Sequence, residues 1–175
     1  QGCQLAIHPC QGFRNTRTVG NGSVTNATTR YNYTHPNLFT SGWNSNKTQY
    51  LYLASDLQAA GMKAGQLTSL GFEMIATGGV SPIFNDFTIK ITCTTDSKVD
   101  GNNFAAVPHE VFTPKSIIAT TGWNMFGFDK AYNWDGTSNL IVEVCWDNGN
   151  SASNAHHQMV MRNTSYDAAV TYIQR

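Results

Sequence analysis

Between Gly122 and Asp147 the sequence runs GWNMFGFDKAYNWDGTSNLIVEVCWD, two aromatic-rich apolar runs joined by the polar turn Asp135-Gly136-Thr137-Ser138-Asn139. In the second run Leu140, Val142, Val144 and Trp146 fall on one face, and Ile141, Glu143, Cys145 and Asp147 on the other. That period of two is the spacing of a strand with one buried face. In the first run Trp123 and Met125 alternate with Asn124, Phe126 and Phe128. Asp-Gly between two such runs is a short-range hairpin signal, so the stretch is read as a β-hairpin at the centre of the fold.

Working outward, the same period recurs. Thr48 to Leu53 alternates Tyr50 and Tyr52 with Leu51 and Leu53. Leu67 to Ala76 places Leu70, Phe72, Met74 and Ala76 inward against Ser69, Gly71 and Glu73. Asn85 to Thr95 sets Phe87, Ile89, Ile91 and Cys93 against Thr88, Lys90, Thr92 and Thr94. Val111 to Ala119, interrupted at Pro114, His157 to Arg162 and Ala168 to Ile173 complete the strands. Between the first two lies a short helix, with Ser55 as cap and Gly61 as stop. About eight strands, one helix and polar loops predict an all-β chain, an antiparallel β-sandwich of jelly-roll type. Residues 47–175 form the sandwich domain.

Residues 1–46 differ. Gly, Asn, Thr and Ser dominate, and such a segment cannot bury enough apolar surface to fold alone. It is read as an extended polar N-terminal arm. Within it Gln4, Leu5, Ala6 and Ile7 form a short run that either pairs as a strand, in its own sheet or a neighbour's, or lies in a loosely draped extension.

Composition narrows the function. Eleven basic and eleven acidic residues cancel, and charged residues make up only 13% of the 175-residue chain. Nucleic acid and anionic membranes reward dense Lys and Arg, so neither is the expected partner. No apolar run reaches the roughly 18 residues a membrane helix needs, so membrane insertion is not expected. A neutral polar coat and a start at Gln1 read as a chain exported after leader removal, to the cell surface or beyond it. Four cysteines then suit two disulfides, with Cys3 and Cys10 as a local clip and Cys93 and Cys145 as a cross-strand bridge; reduced thiols are the alternative.

The chemistry-bearing motifs are few. No nucleophile elbow, His-Glu-x-x-His or phosphate loop occurs, and no enzyme activity or cofactor is expected. His109-Glu110 lacks a second histidine at helical spacing, and His156-His157 reads as a surface loop pair. Calcium candidates are Asp147, Asn148 and Asn150, although turn formation explains them equally well. For carbohydrate, Trp43 is the candidate exposed ring, whereas Trp146 shares the apolar face of its strand. Glycosylation sequons stand at Asn21, Asn26, Asn32, Asn46 and Asn163.

One ordered series of segments goes further. Gln49-Tyr50-Leu51-Tyr52 leads into Leu53-Ala54-Ser55-Asp56-Leu57 and Ala59-Ala60-Gly61. Leu67-Thr68-Ser69-Leu70-Gly71-Phe72 and Asn85-Asp86-Phe87-Thr88-Ile89-Lys90 follow. Gly122-Trp123-Asn124 and the run from Trp134-Asp135-Gly136 to Val144-Cys145 close it. Over about residues 48 to 165 this resembles a module repeated in extracellular proteins of Bacteroidetes and related bacteria, in large chains exported by the type IX system. The resemblance implies a non-catalytic β-sandwich, with no catalytic residues to carry over. Relatives carry the module beside enzymes, fibronectin-like repeats or a C-terminal sorting domain, whereas this sequence shows only the module and the arm. The function expected is therefore a structural or adhesive subunit that assembles with copies of itself into surface structures or filaments by β-strand addition. The alternative is a monomeric module that binds surface glycans or a protein.

Overall fold

The computed structural model describes residues 16–20, 22, 24–25, 37–40, 43–76, 81–149 and 157–174. Nine strands are assigned among them: β1 Val24–Thr25, β2 Ser45–Tyr52, β3 Gly65–Ala76, β4 Ile83–Thr94, β5 His109–Ile118, β6 Gly122–Trp134, β7 Asn139–Asp147, β8 Gln158–Met161 and β9 Ala169–Gln174. One helix, α1, spans Ala54–Ala59. The strands form two antiparallel sheets, one of order β1-β8-β3-β6 and one of order β5-β4-β7-β2-β9. Setting β9 aside, this is the interleaved order of two Greek keys, the jelly roll. β9 lengthens the second sheet by one strand.

The hairpin expected at the centre does not form. β6 ladders with β3 and β7 with β4 and β2, so the two runs lie in opposite sheets. A period of two identifies the buried face but not the partner strand. Here the two buried faces meet across the core: Phe126, Tyr132 and Trp134 of β6 share one apolar cluster with Leu140, Val142, Val144 and Trp146 of β7. The turn is closed by its own side chains. Asp135 Oδ1 accepts the N–H groups of Thr137 at 2.8 Å and Ser138 at 2.7 Å, and Trp134 Nε1–H donates to the Ser138 carbonyl at 2.8 Å. Gly136 sits at φ +83°, where a Cβ would lie 2.9 Å from the Ala64 backbone nitrogen. Both facts require glycine there. The Asp-Gly signal thus marks an arch between sheets.

β7 also departs from the one-faced strand predicted. Ile141 and Glu143, on the face expected outside, are buried like Leu140 and Val142. β7 is the middle strand of five, and the segment between β4 and β5 crosses its outer face. Val99 and Val107 of that segment pack on Leu51, Ile141 and Val170 as a second small core.

Other boundaries shift for identifiable reasons. Ser55 does not cap α1, because the helix already begins at Ala54 with Leu53 at its N-cap, and Asn139 Oδ1 of the neighbouring strand β7 accepts the Ala54 N–H at 2.7 Å. Gly61, at φ +82°, ends the helix as predicted, with its N–H donating to Gln58 at 2.8 Å. The arm does not stop at residue 46. Asn37, Leu38 and Phe39 are buried, and Trp146 Nε1–H donates to the Leu38 carbonyl at 2.6 Å. The sandwich therefore takes in residues 37–40 and 43–46, held by a long-range contact with no local signal. His157, expected on the surface, is fully buried with its ring edge-on to Phe84.

The sheets close on one side through β5 and β6. Asp129 of β6 accepts the Thr113 N–H of β5 at 2.8 Å and pairs with Lys115 at 2.8 Å. The lysine hydrogen bond first, then those from Thr113, hold its carboxyl down at about 2. A depressed acid contributes stability above its unfolded pKa near 4 and loses it as pH falls towards 2. Replacing Lys115 by Ala is expected to return the Asp129 titration, followed by carboxyl NMR, towards the ordinary carboxylate range.

Candidate functional site

The six-residue β9, AVTYIQ, stands at the end of the five-stranded sheet and ladders only with β2 among the described residues. The Leu51 N–H donates to the Ala168 carbonyl at 2.7 Å. Antiparallel bonding alternates along a strand. With the β2–β9 register, that bond turns the backbone groups of Ala168, Val170, Tyr172 and Gln174 towards β2. The groups of Ala169, Thr171 and Ile173 turn away from the sheet. Side chains alternate on the other axis. Val170 joins the outer apolar cluster and Tyr172 is 57% exposed beside it, while Thr171 Oγ1 meets Thr48 Oγ1 at 2.7 Å on the inner side.

Sheet edges are ordinarily blunted by charge, proline or a bulge. β5, at the other end of the same sheet, has all three: Pro114, Lys115 with Asp129, and register shifts along its ladder with β4. β9 has none of them.

The outer face of the same sheet carries a polar cluster. Glu143 is buried, accepts from Gln49 Nε2 at 2.7 Å, and has Lys47 at 3.3 Å and Lys90 at 3.6 Å. Gln49 also clamps the crossing segment, donating to the Ala105 carbonyl at 2.8 Å and accepting the Ala105 N–H at 2.9 Å. Lys47 lies 4.8 Å over the Phe104 ring. Beside Glu143 sits the Cys145 thiol, at 3.8 Å. Burial, then the neighbouring carboxylate, pushes that thiol up to about 11. It stays protonated at neutral pH, and a thiol is a weak nucleophile compared with its thiolate. The cluster fastens a covering segment to a sheet.

The four-stranded sheet presents Trp123 and Met125 outward, 52% and 50% exposed. Met125 lies opposite Gly71, where a Cβ would collide with its sulfur, and Trp123 lies opposite Glu73. The signal was in the sequence, since Trp123 and Met125 alternate with the equally apolar Phe126 and Phe128.

The residues singled out from sequence scatter rather than converge. Trp43 is buried at 8% exposure, so the exposed ring expected there is Trp123 instead. Trp146 is a core residue, as its strand pattern predicted. Cys93 and Cys145 do not bridge. In the β4–β7 ladder Cys93 faces Leu140 and Cys145 faces Thr88, about 17 Å apart along the strands, beyond the roughly 7 Å that a disulfide spans between Cα atoms. Cys145 is a free thiol. Cys3 and Cys10 lie outside the described residues, as does any sulfur partner of Cys93. So do Gln4, Leu5, Ala6 and Ile7, and the sequons at Asn21, Asn26 and Asn32.

Of the calcium candidates, Asn150 lies outside the described residues. Asp147 Oδ1 accepts the Gly149 N–H at 2.8 Å, and Asn148 Oδ1 accepts the Asn85 N–H at 2.8 Å. These bonds make the loop an Asx turn tied to β4. No group of three metal-ligating side chains was found among the described residues. No helix there is long and apolar enough to cross a membrane.

The two described sequons differ in access. Asn46 is 3% exposed, and its Nδ2 donates to Thr40 Oγ1 at 2.9 Å, so the atom a glycan would modify is enclosed. Asn163 is exposed in the loop before β9. Peptide mapping of glycosylated material is expected to find sugar at Asn163 and none at Asn46.

Compared with protein-family models, curated proteins and solved structures, the chain matches none.

Proposed function

We propose that this chain is a non-catalytic structural or adhesive protein of the cell exterior, whose copies assemble by adding strands at sheet edges. The observation that carries the reading is the edge of β9, six residues without charge that bear no further strand among the described residues, the Val99 N–H meeting only the Asp167 carbonyl before it, on a sandwich whose opposite edge is guarded. An exposed edge of this kind pairs readily with another strand. The polar composition with its balanced charges supports it, because a chain of no net charge has little repulsion to keep copies apart. The likeness to type IX-exported bacterial modules supports the extracellular setting and a role without catalysis. Gln4–Ile7 of the arm is one candidate donor strand. Negative-stain microscopy of the native material, with and without residues 1–12, tests the reading. Regular assemblies are expected, and their loss on truncation assigns the arm as a joint. Dispersed 19.2 kDa particles at every concentration would sink it.

Trp123 favours a second reading, a module that binds surface glycans. Its ring is half-exposed, and its partner across the β3–β6 ladder is Glu73, a pairing of stacking surface and acidic residue of the kind that sugars use. Glycan-array binding that disappears in Trp123→Ala would support it. An empty array would remove it.

A further inference from the structure

The β9 sequence is complementary to itself, and we infer that its partner is the β9 of a second copy, paired antiparallel across a two-fold axis. The inference rests on the strand-addition reading and names its joint. The outward backbone groups belong to Ala169, Thr171 and Ile173, so an antiparallel partner must meet them with its own outward set. A two-fold axis at Thr171 aligns them along the whole strand: Thr171 faces Thr171 of the second copy, and Ala169 faces Ile173 at each end. Each facing pair then exchanges both of its hydrogen bonds.

The same register decides the side chains. On the outer face Val170 comes opposite Tyr172 of the second copy, twice, an aromatic against a β-branched residue, which is a favourable cross-strand pair. On the inner face threonine meets threonine, and alanine meets isoleucine. No like charges meet, because β9 has no charge. The segment joins β-formers to the absence of proline and glycine, the composition that favours strand-to-strand association. Tyr172, 57% exposed in the single copy, gains a neighbour. The two five-stranded sheets become one continuous sheet across an isologous interface, the commonest symmetry of homo-oligomers.

The test uses the intact chain. Light scattering across a concentration series is expected to give a mass rising from 19.2 kDa to twice that value before any larger assembly forms. Ala169→Pro removes an outward N–H without touching the bonds to β2, a change that edge strands tolerate. It is expected to weaken the dimer by at least about tenfold. Thr171→Cys places two sulfurs across the axis, on Cα atoms about 5.5 Å apart in such a pair, within disulfide reach. Mild oxidation should link this variant, and not the parent chain, into a covalent dimer. The inference is overturned by a parent chain that stays at 19.2 kDa throughout. It is equally overturned by a dimer that Ala169→Pro leaves intact, or by a Thr171→Cys chain that never crosslinks. Should Ala169→Pro fail to fold, Thr171→Cys decides alone. Filaments that persist in Ala169→Pro would overturn this joint and leave strand addition standing elsewhere.

Discussion

Replacing Trp146 by Ala is expected to destabilise the chain by roughly 3–5 kcal/mol, the range for truncating a buried large aromatic. Trp146 is 2% exposed and meets Phe84 edge-on at 5.1 Å. Phe84 in turn packs on Phe39 at 5.6 Å. The indole N–H also holds the Leu38 carbonyl, so truncation removes ring packing and orphans a buried acceptor together. Trp146 is one of several distant holds on residues 37–40, beside the Asn37 amide on the His157 carbonyl and Phe39 on Phe84. Trp146→Phe keeps most of the packing and loses the hydrogen bond, and should cost about 1–3 kcal/mol. Urea unfolding followed by far-ultraviolet dichroism measures both. Equal stability of Trp146→Ala and the parent chain would show that the segment is held by something else.

The second large effect lies at alkaline pH. Tyr50 and Tyr52 of β2 both pack on the main core. Burial, with each one's tyrosine neighbour adding to it, pushes Tyr52 up to about 12 and Tyr50 higher. The folded state therefore keeps both phenols neutral where the unfolded chain ionises, near pH 10. A group whose folded pKa is raised contributes its full stability below the unfolded value and loses it as pH rises. These two phenols should accordingly add no pH dependence up to about 10 and withdraw stability steeply from there to 12 and above, on top of the smaller loss that the raised Cys145 thiol begins near pH 9. The loss from Tyr52 alone is on the order of 2 kcal/mol. Tyr52→Phe is expected to flatten part of that slope while changing neutral-pH stability little. Denaturant midpoints measured from pH 8 to 12 in the two chains decide it. Parallel curves would mean that Tyr52 is not the titrating group.

The sheet content was legible because burial of one strand face imprints a period of two, and it did so in β3 and β4. What periodicity does not carry is the identity of the partner strand. Asp135-Gly136 therefore reads as a hairpin although Trp134 and Leu140 face each other across a core. Likewise Ile141 and Glu143 read as outward residues, because the segment that covers them is fastened by long-range contacts, the Gln49–Ala105 clamp and the packing of Val99 and Val107 on Ile141, that periodicity does not carry. Leu38 and Phe39 stand in polar surroundings, and distant partners make them core, among them Trp146, 108 positions away, and Phe84. The candidate site was less visible. Trp43 and Trp123 both follow a glycine and precede an asparagine, and nothing local separates the buried ring from the exposed one. The β9 edge was readable in part. AVTYIQ shows a charge-free strand, but its place at the end of a sheet is a fact of topology.

Amide hydrogen exchange of β9, at low and high protein concentration, probes the assembly claim most directly. In a single copy the amides of Val170 and Tyr172 are bonded to β2, while those of Ala169, Thr171 and Ile173 point outward. The account predicts that the outward three exchange fast in dilute solution and become protected as concentration rises, with Val170 and Tyr172 protected throughout. Outward amides that stay fast at every concentration would contradict β9 as the place where copies meet.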